Sequence, residues 1–214
     1  MVDRAVALAP TLVMTTDLFD NDLIHANSGG KPLTDGLTPF DVFKPALETT
    51  LSRLEATGAE VFIGNAPDAT LMDYFRVGQA QALRDQGYPD ADVLAWLDEI
   101  RRRTTQFNAE LDAAALRHPR VHVVDLHTLM GQTYVTGVEV DEQLLSPLHL
   151  GGLLSIDNIH FSDTGYALLA QLFIDAINRD LGTRLPAVDV AAVHREDPFA
   201  SEKLRAQGLP CAGQ

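Results

Sequence analysis

The chain has 214 residues, 46% of them hydrophobic and 21% charged, the proportions of a globular domain with a sizeable core. A net charge of −14 argues against nucleic acid, whose phosphates need a basic face, and against docking on anionic lipid. Cys211 is the only cysteine, so no disulfide forms within the chain, and no run reaches the roughly 18 apolar residues of a transmembrane segment.

The opening residues, MVDRAVALAPTLVM, lack the basic-then-apolar build of a secretory leader, and the compartment stays open. Three short apolar runs follow along the chain, at residues 11–15, 60–66 and 121–126. Each lacks polar alternation, the pattern of strands buried on both faces of a parallel sheet. Between them lie helical periods. Thr38 and Pro39 read as N-cap and first turn, Phe40, Phe43, Leu47, Leu51 and Leu54 form one stripe, and Gly58 closes the helix. Residues 67–89 are irregular and suit an insertion over the sheet edge.

From Asp90 a longer helix is predicted, with Val93, Leu97, Ile100, Thr104, Phe107 and Leu111 inward and Arg101, Arg102 and Arg103 largely on the solvated side. Residues 131–152 suggest a small hairpin or loop. The last helix begins near Ser162, turns Tyr166, Leu169, Phe173 and Ile177 inward, and stops before Gly182. After about Pro186 the apolar pattern fades, and residues 191–214 read as a tail that is loose or wrapped on the surface, behind a domain of residues 1–190. Strands alternating with helices predict an α/β fold with right-handed crossovers.

Chemistry is concentrated in residues 151–170, GGLLSIDNIHFSDTGYALLA. Asp157 and His160 stand three apart on a loop that precedes a helix start. That spacing lets a carboxylate reach the imidazole Nδ1–H, set its tautomer and stabilise the imidazolium. A structural Asp–His pair would have the same spacing. Upstream, Asp20-Asn21-Asp22-Leu23 follows the first strand, where Asn21 offers a neutral amide donor at a strand's C-terminal end or simply closes an Asx turn.

The glycine pair, short apolar run, Asp-x-x-His, serine and Gly-Tyr-Ala-Leu together resemble the last block of SGNH/GDSL-type ester hydrolases. The resemblance implies a three-layer α/β/α, flavodoxin-like fold. This chain would supply part of it, about three parallel strands with flanking helices. It assigns Asp157 as the orienter and His160 as the general base of a Ser-His-Asp triad. Residues 20–23 look like the family's Gly-x-Asn-Asp-Leu block, which makes Asn21 the oxyanion donor, although Phe19 stands where that block has glycine. The block at 61–70, VFIGNAPDAT, also resembles bacterial members and reads as structural, with Asn65 and Asp68 ordering a turn at Pro67.

The nucleophile block is the missing part. An active member needs a Gly-Asp-Ser stretch before the Asn21 block, yet none of the six serines (Ser28, Ser52, Ser146, Ser155, Ser162, Ser201) has that context. The expectation is an inactive, truncated portion of an enzyme acting on small-molecule esters, with no cofactor implied. Its exposed sheet edge would favour a partner or self-association. The alternative is a non-catalytic remnant that serves as a binding module. A metal-dependent reading would draw on Asp17, Asp20, Asp22, His25, His127 or His149, but the acidic cluster lacks EF-hand spacing, and His122 and His127, five apart, point to opposite faces. No metal is expected.

Overall fold

The computed structural model describes residues 2–16, 22–23, 36–148 and 150–209. In chain order the elements are α1 (Val2–Ala7), β1 (Leu12–Thr15), α2 (Phe40–Glu55), β2 (Glu60–Gly64), α3 (Ala80–Asp85), α4 (Asp90–Ala115) and β3 (Val121–Val124). They continue as α5 (Leu126–Thr136), β4 (Val138–Val140), β5 (Gln143–Leu145), α6 (Asp163–Leu181), α7 (Val190–Glu196) and α8 (Ser201–Ala206). Two compact units result, one from residues 1–69 and 89–127, the other from 70–88 and 128–214.

The first unit is the α/β part. The three apolar runs pair as a parallel sheet in the order β1-β2-β3, with Val13 opposite Val61 and Val61 opposite Val121. β2 lies between two strands, and Val61, Phe62 and Ile63 are fully buried. β1 departs from the expected two-sided burial: Leu12 is 40% and Met14 57% exposed. Among the described strands it has a neighbour on one edge only, so less of it is covered.

Helices α2 and α4 pack through the stripes that their periodicity predicts. The rings of Phe43 and Phe107 stack with centroids 3.8 Å apart, and Leu47, Leu51, Ile100 and Leu111 are buried around them. Each such side chain contributes about 1.5–3 kcal/mol by leaving water. Two details differ from the sequence expectation. Trp96 is more deeply buried than Leu97 on α4, and α2 is entered through an extended Pro39, without a side-chain cap from Thr38. The Thr38 carbonyl instead accepts a hydrogen bond from Arg103 Nη1 at 2.6 Å.

The second unit is built around a hairpin and α6. β4 and β5 pair antiparallel with Val140 opposite Gln143, which leaves a two-residue turn, Asp141-Glu142. Both turn residues have positive φ (52° and 63°), the type I′ geometry whose twist matches a hairpin. Val140, Leu145 and Leu153 form a small core with Val138, Leu168 and Val190. The irregular stretch before α3 folds as a 3₁₀ turn (Ala69–Leu71) and a π-helical segment (Tyr74–Gln79).

α6 starts at the Ser162 N-cap and ends at Gly182, whose φ is 64°. Leu169, Phe173 and Ile177 are buried, whereas Tyr166 is 49% exposed with its ring edge-on to Phe161. Beyond it, α7 and α8 occupy the stretch expected as a tail, and His194, Asp197, Ala200 and Leu204 are buried. Among the described residues no helix is long and apolar enough to cross a membrane.

Candidate active site

Residues 153–162 form a closed loop whose two arms are joined as in a short antiparallel ladder. Ser162 N–H donates to the Leu153 carbonyl at 3.0 Å, Ser155 N–H donates to His160 O at 2.8 Å, and Leu154 bridges Phe161. At the tip, Asn158 N–H closes a turn onto Ser155 O at 3.1 Å, and Asn158 takes the left-handed φ of 59° that asparagine tolerates. The loop is rooted in α6 by Ser162, which donates to the Gly152 carbonyl at 2.9 Å and accepts from Gly165 N–H at 3.1 Å. Gly165 allows this close approach, because a Cβ there would collide with the Leu153 carbonyl and the Phe161 side chain.

Asp157 and His160 meet within this loop. His160 Nδ1 lies 2.6 Å from Asp157 Oδ2, while Oδ1 accepts from the backbone N–H of Ile159 (3.1 Å) and of His160 (3.0 Å) and from Ser155 Oγ (2.6 Å). Burial pushes the Asp157 carboxyl up, but the hydrogen bonds from Ser155, His160 and Ile159 outweigh it and hold the group well below the usual carboxylate range. An ionised Asp157 accepts Nδ1–H and leaves Nε2 of His160 as the basic nitrogen. The imidazole is 69% exposed, and no described residue pairs with its Nε2. Such a group can take a proton from, or return one to, a small molecule. Beside the loop, Leu129, Met130, Thr133, Leu153, Phe161 and Leu168 line an apolar cavity of about 20 Å³, room for a single small group.

Outside this loop the polar side chains at the strand ends of the first unit are bound to one another. Asn65, just past β2, donates to Asp125 Oδ1 at 3.0 Å and accepts from His127 N–H at 2.6 Å. His127 Nδ1 lies 2.9 Å from the Ala66 carbonyl, and Asn108 bonds both backbone groups of Ala66 at 2.8 Å. Asp68 pairs with Arg101 at 3.2 Å. His122 sits 3.0 Å from Glu60 and stacks on Phe62. Among the described residues no three His, Cys, Asp or Glu side chains gather as metal ligands.

Comparison with known proteins places the chain in a family. The family model described as an SGNH domain, fused to AT3 domains, matches residues 6–175. The chain belongs to the SGNH family. No curated protein and no solved structure matches it. The SGNH match takes in the parallel sheet, the 61–70 block and the Asp157–His160 loop, and it ends within α6.

Asn21 and Phe19 lie outside the described residues, as do Asp17, Asp20, His25, Ser28, His149 and Cys211. Of the sequence-derived SGNH site, Asp157 and His160 are therefore the two residues with described positions, and the structure brings them into contact. Sequence reading missed Ser155, whose hydroxyl holds Asp157, although a serine two before an aspartate at a turn is a usable local signal. It also missed Thr164, which is fully buried beside the loop root.

Proposed function

We propose that this chain carries the acid–base half of a carboxylic-ester-hydrolysing site of the Ser-His-Asp type. The observation that carries the reading is the 2.6 Å contact between His160 Nδ1 and Asp157, within the span matched by the SGNH family. In this reading His160 Nε2 removes the proton from a serine hydroxyl as it attacks the ester carbonyl. The same nitrogen then returns the proton to the departing alkoxide, and the cycle repeats with water to release the acid. Asp157 holds the ring and balances the imidazolium. Asn21 donates to the oxyanion, a contribution worth on the order of 10²–10³ in rate. The substrate is a small-molecule ester, and the chemistry uses no metal or cofactor.

The serine belongs to a Gly-Asp-Ser block that this sequence does not contain, so the chain as given is inactive by itself. The test compares it with the product of the same reading frame extended upstream of Met1, both assayed on p-nitrophenyl acetate and with a fluorophosphonate label. An extended product that labels on serine and loses turnover on His160→Ala supports the reading. An extended product that hydrolyses the ester equally well without His160 overturns it. A frame with no serine block and a protein without ester turnover would leave a binding module, with the exposed face of β1, at Leu12 and Met14, as its contact surface.

A further inference from the structure

The C-terminal segment contains a buried polar cluster for which the proposed chemistry has no direct use. Asp197, between α7 and α8, is fully buried, as is Thr164, and His194 is 2% exposed. Asp197 Oδ2 accepts from both the backbone N–H (2.7 Å) and the hydroxyl (2.5 Å) of Thr164, while Oδ1 accepts from Phe199 N–H at 2.8 Å. The Thr164 hydroxyl has one proton, spent on Asp197, so it accepts from His194 Nδ1 at 3.1 Å. His194 Nε2 is then a buried acceptor without a partner among the described atoms.

The place of this cluster gives it meaning. A helix start leaves its first N–H groups without intrahelical partners. In α6, Ser162 caps Gly165 N–H from within the loop, and Asp197 caps Thr164 N–H from thirty-three residues away. Ser162 is two residues from His160 and fastens both arms of the loop, so the helix start that Asp197 holds is also the loop's foundation. Removing the carboxyl would leave the buried Thr164 N–H unpaired and take away the acceptor of its hydroxyl proton. Asp197 also lies beyond the span matched by the SGNH family, which stops at residue 175.

We propose that Asp197 is a positioning residue for the Asp157–His160 pair, holding through Thr164 the helix start on which the His160 loop is built. The proposal rests on the reading of His160 as general base, but its test does not depend on turnover. Isotope-labelled protein is followed by NMR, reading the imidazole ¹⁵N resonances of His160 and amide exchange at Ile159 and His160, whose N–H groups both bond to Asp157. Asp197→Asn and Thr164→Val are expected to shift the imidazole resonances and to speed exchange at both amides at least tenfold. Thr164→Ser keeps the hydroxyl and is expected to retain the wild-type pattern.

Leu204→Ala, which loosens α8 without touching these hydrogen bonds, separates positioning from general destabilisation. Wild-type His160 signals in Thr164→Val would overturn the proposal, and so would equal changes in Leu204→Ala. Should Asp197→Asn fail to fold, the Thr164→Val and Thr164→Ser pair decides. Failure of the ester-hydrolysis reading looks different: the pair responds as expected here, yet turnover does not need His160.

Discussion

Among the described residues His118, His122 and His160 lie against carboxylates, and the contrast between the first and the last separates a structural tie from the proposed chemistry. His118 is buried, with Nδ1 2.8 Å from Glu55 and Nε2 3.0 Å from Glu48, so both nitrogens are engaged. His160 is exposed, with Nδ1 on Asp157 and no described residue paired with Nε2. A ring bonded at both nitrogens is a cationic strut that ties chain segments together. A ring bonded at one nitrogen has a fixed tautomer and a basic site to spare. A carboxylate partner alone does not fit a histidine for the proposed acid–base role; an exposed ring with its second nitrogen to spare does.

The strongest way to break this contrast is to exchange the two roles by mutation. In the extended product, on the proposed reading, His160→Ala is expected to lower kcat by about 10²–10⁴ while costing less than about 1 kcal/mol of stability, read from initial rates and thermal melts of the same samples. His118→Leu should do the reverse. It takes one partner from each of Glu55 and Glu48, leaving them the Arg120 N–H and Arg117, and, allowing for the 42% exposure of Glu48, is expected to cost about 1–3 kcal/mol, or roughly 2–12 °C in Tm, with kcat unchanged. If His118→Leu instead abolished turnover with an unaltered Tm, the contrast would be wrong.

The pH dependence of stability sharpens the comparison further. Burial pushes His118 down, but the hydrogen bonds to Glu55 and Glu48 outweigh it and leave its value raised. Its contribution is therefore fully present below its ordinary value, near pH 6.5, and is lost as pH rises through the raised one. Glu55, lowered chiefly by His118, and Glu48, lowered chiefly by Arg117, act in the opposite sense, stabilising above pH 4.5 and less as pH falls through their lowered values. Melts across this range should show a decline on the alkaline side that disappears in His118→Leu. The smallest effect is expected from Ser155→Ala, which removes one of four donors to Asp157: a fall of severalfold in kcat with Tm almost unmoved.

The strands and the long helices were legible because apolar spacing carries them. The runs at 11–15, 60–66 and 121–126 hold the observed strands, and the stripes Phe43-Leu47-Leu51 and Ile100-Phe107-Leu111 are buried as expected. The Asp157–His160 contact was legible because a three-residue spacing on one loop is local information. Tyr166 was misplaced because periodicity assigns a face without knowing how far the covering surface extends. α5 went unseen because its sequence, LHTLMGQTYVT, has no charged side and includes Gly131 and several threonines. α7 and α8 are too short to show a period, and Asp197 reads as a surface residue until Thr164, a distant partner, is known.

Asp197 follows Asp157 and His160 in the chain, and that bears on the order in which the parts of the site are made. Strand β2 cannot gain its second neighbour until Val124 has been synthesised, and a parallel pair of this kind closes slowly across its crossover. Asp157 and His160 emerge from the ribosome after the sheet, and Asp197 only afterwards. At about 5–20 residues per second, the loop spends some seconds with its sequence complete and its foundation still missing. On the proposed role of Asp197, a nascent chain cut between His160 and Asp197 would carry both members of the acid–base pair and lack the carboxyl that holds the start of α6.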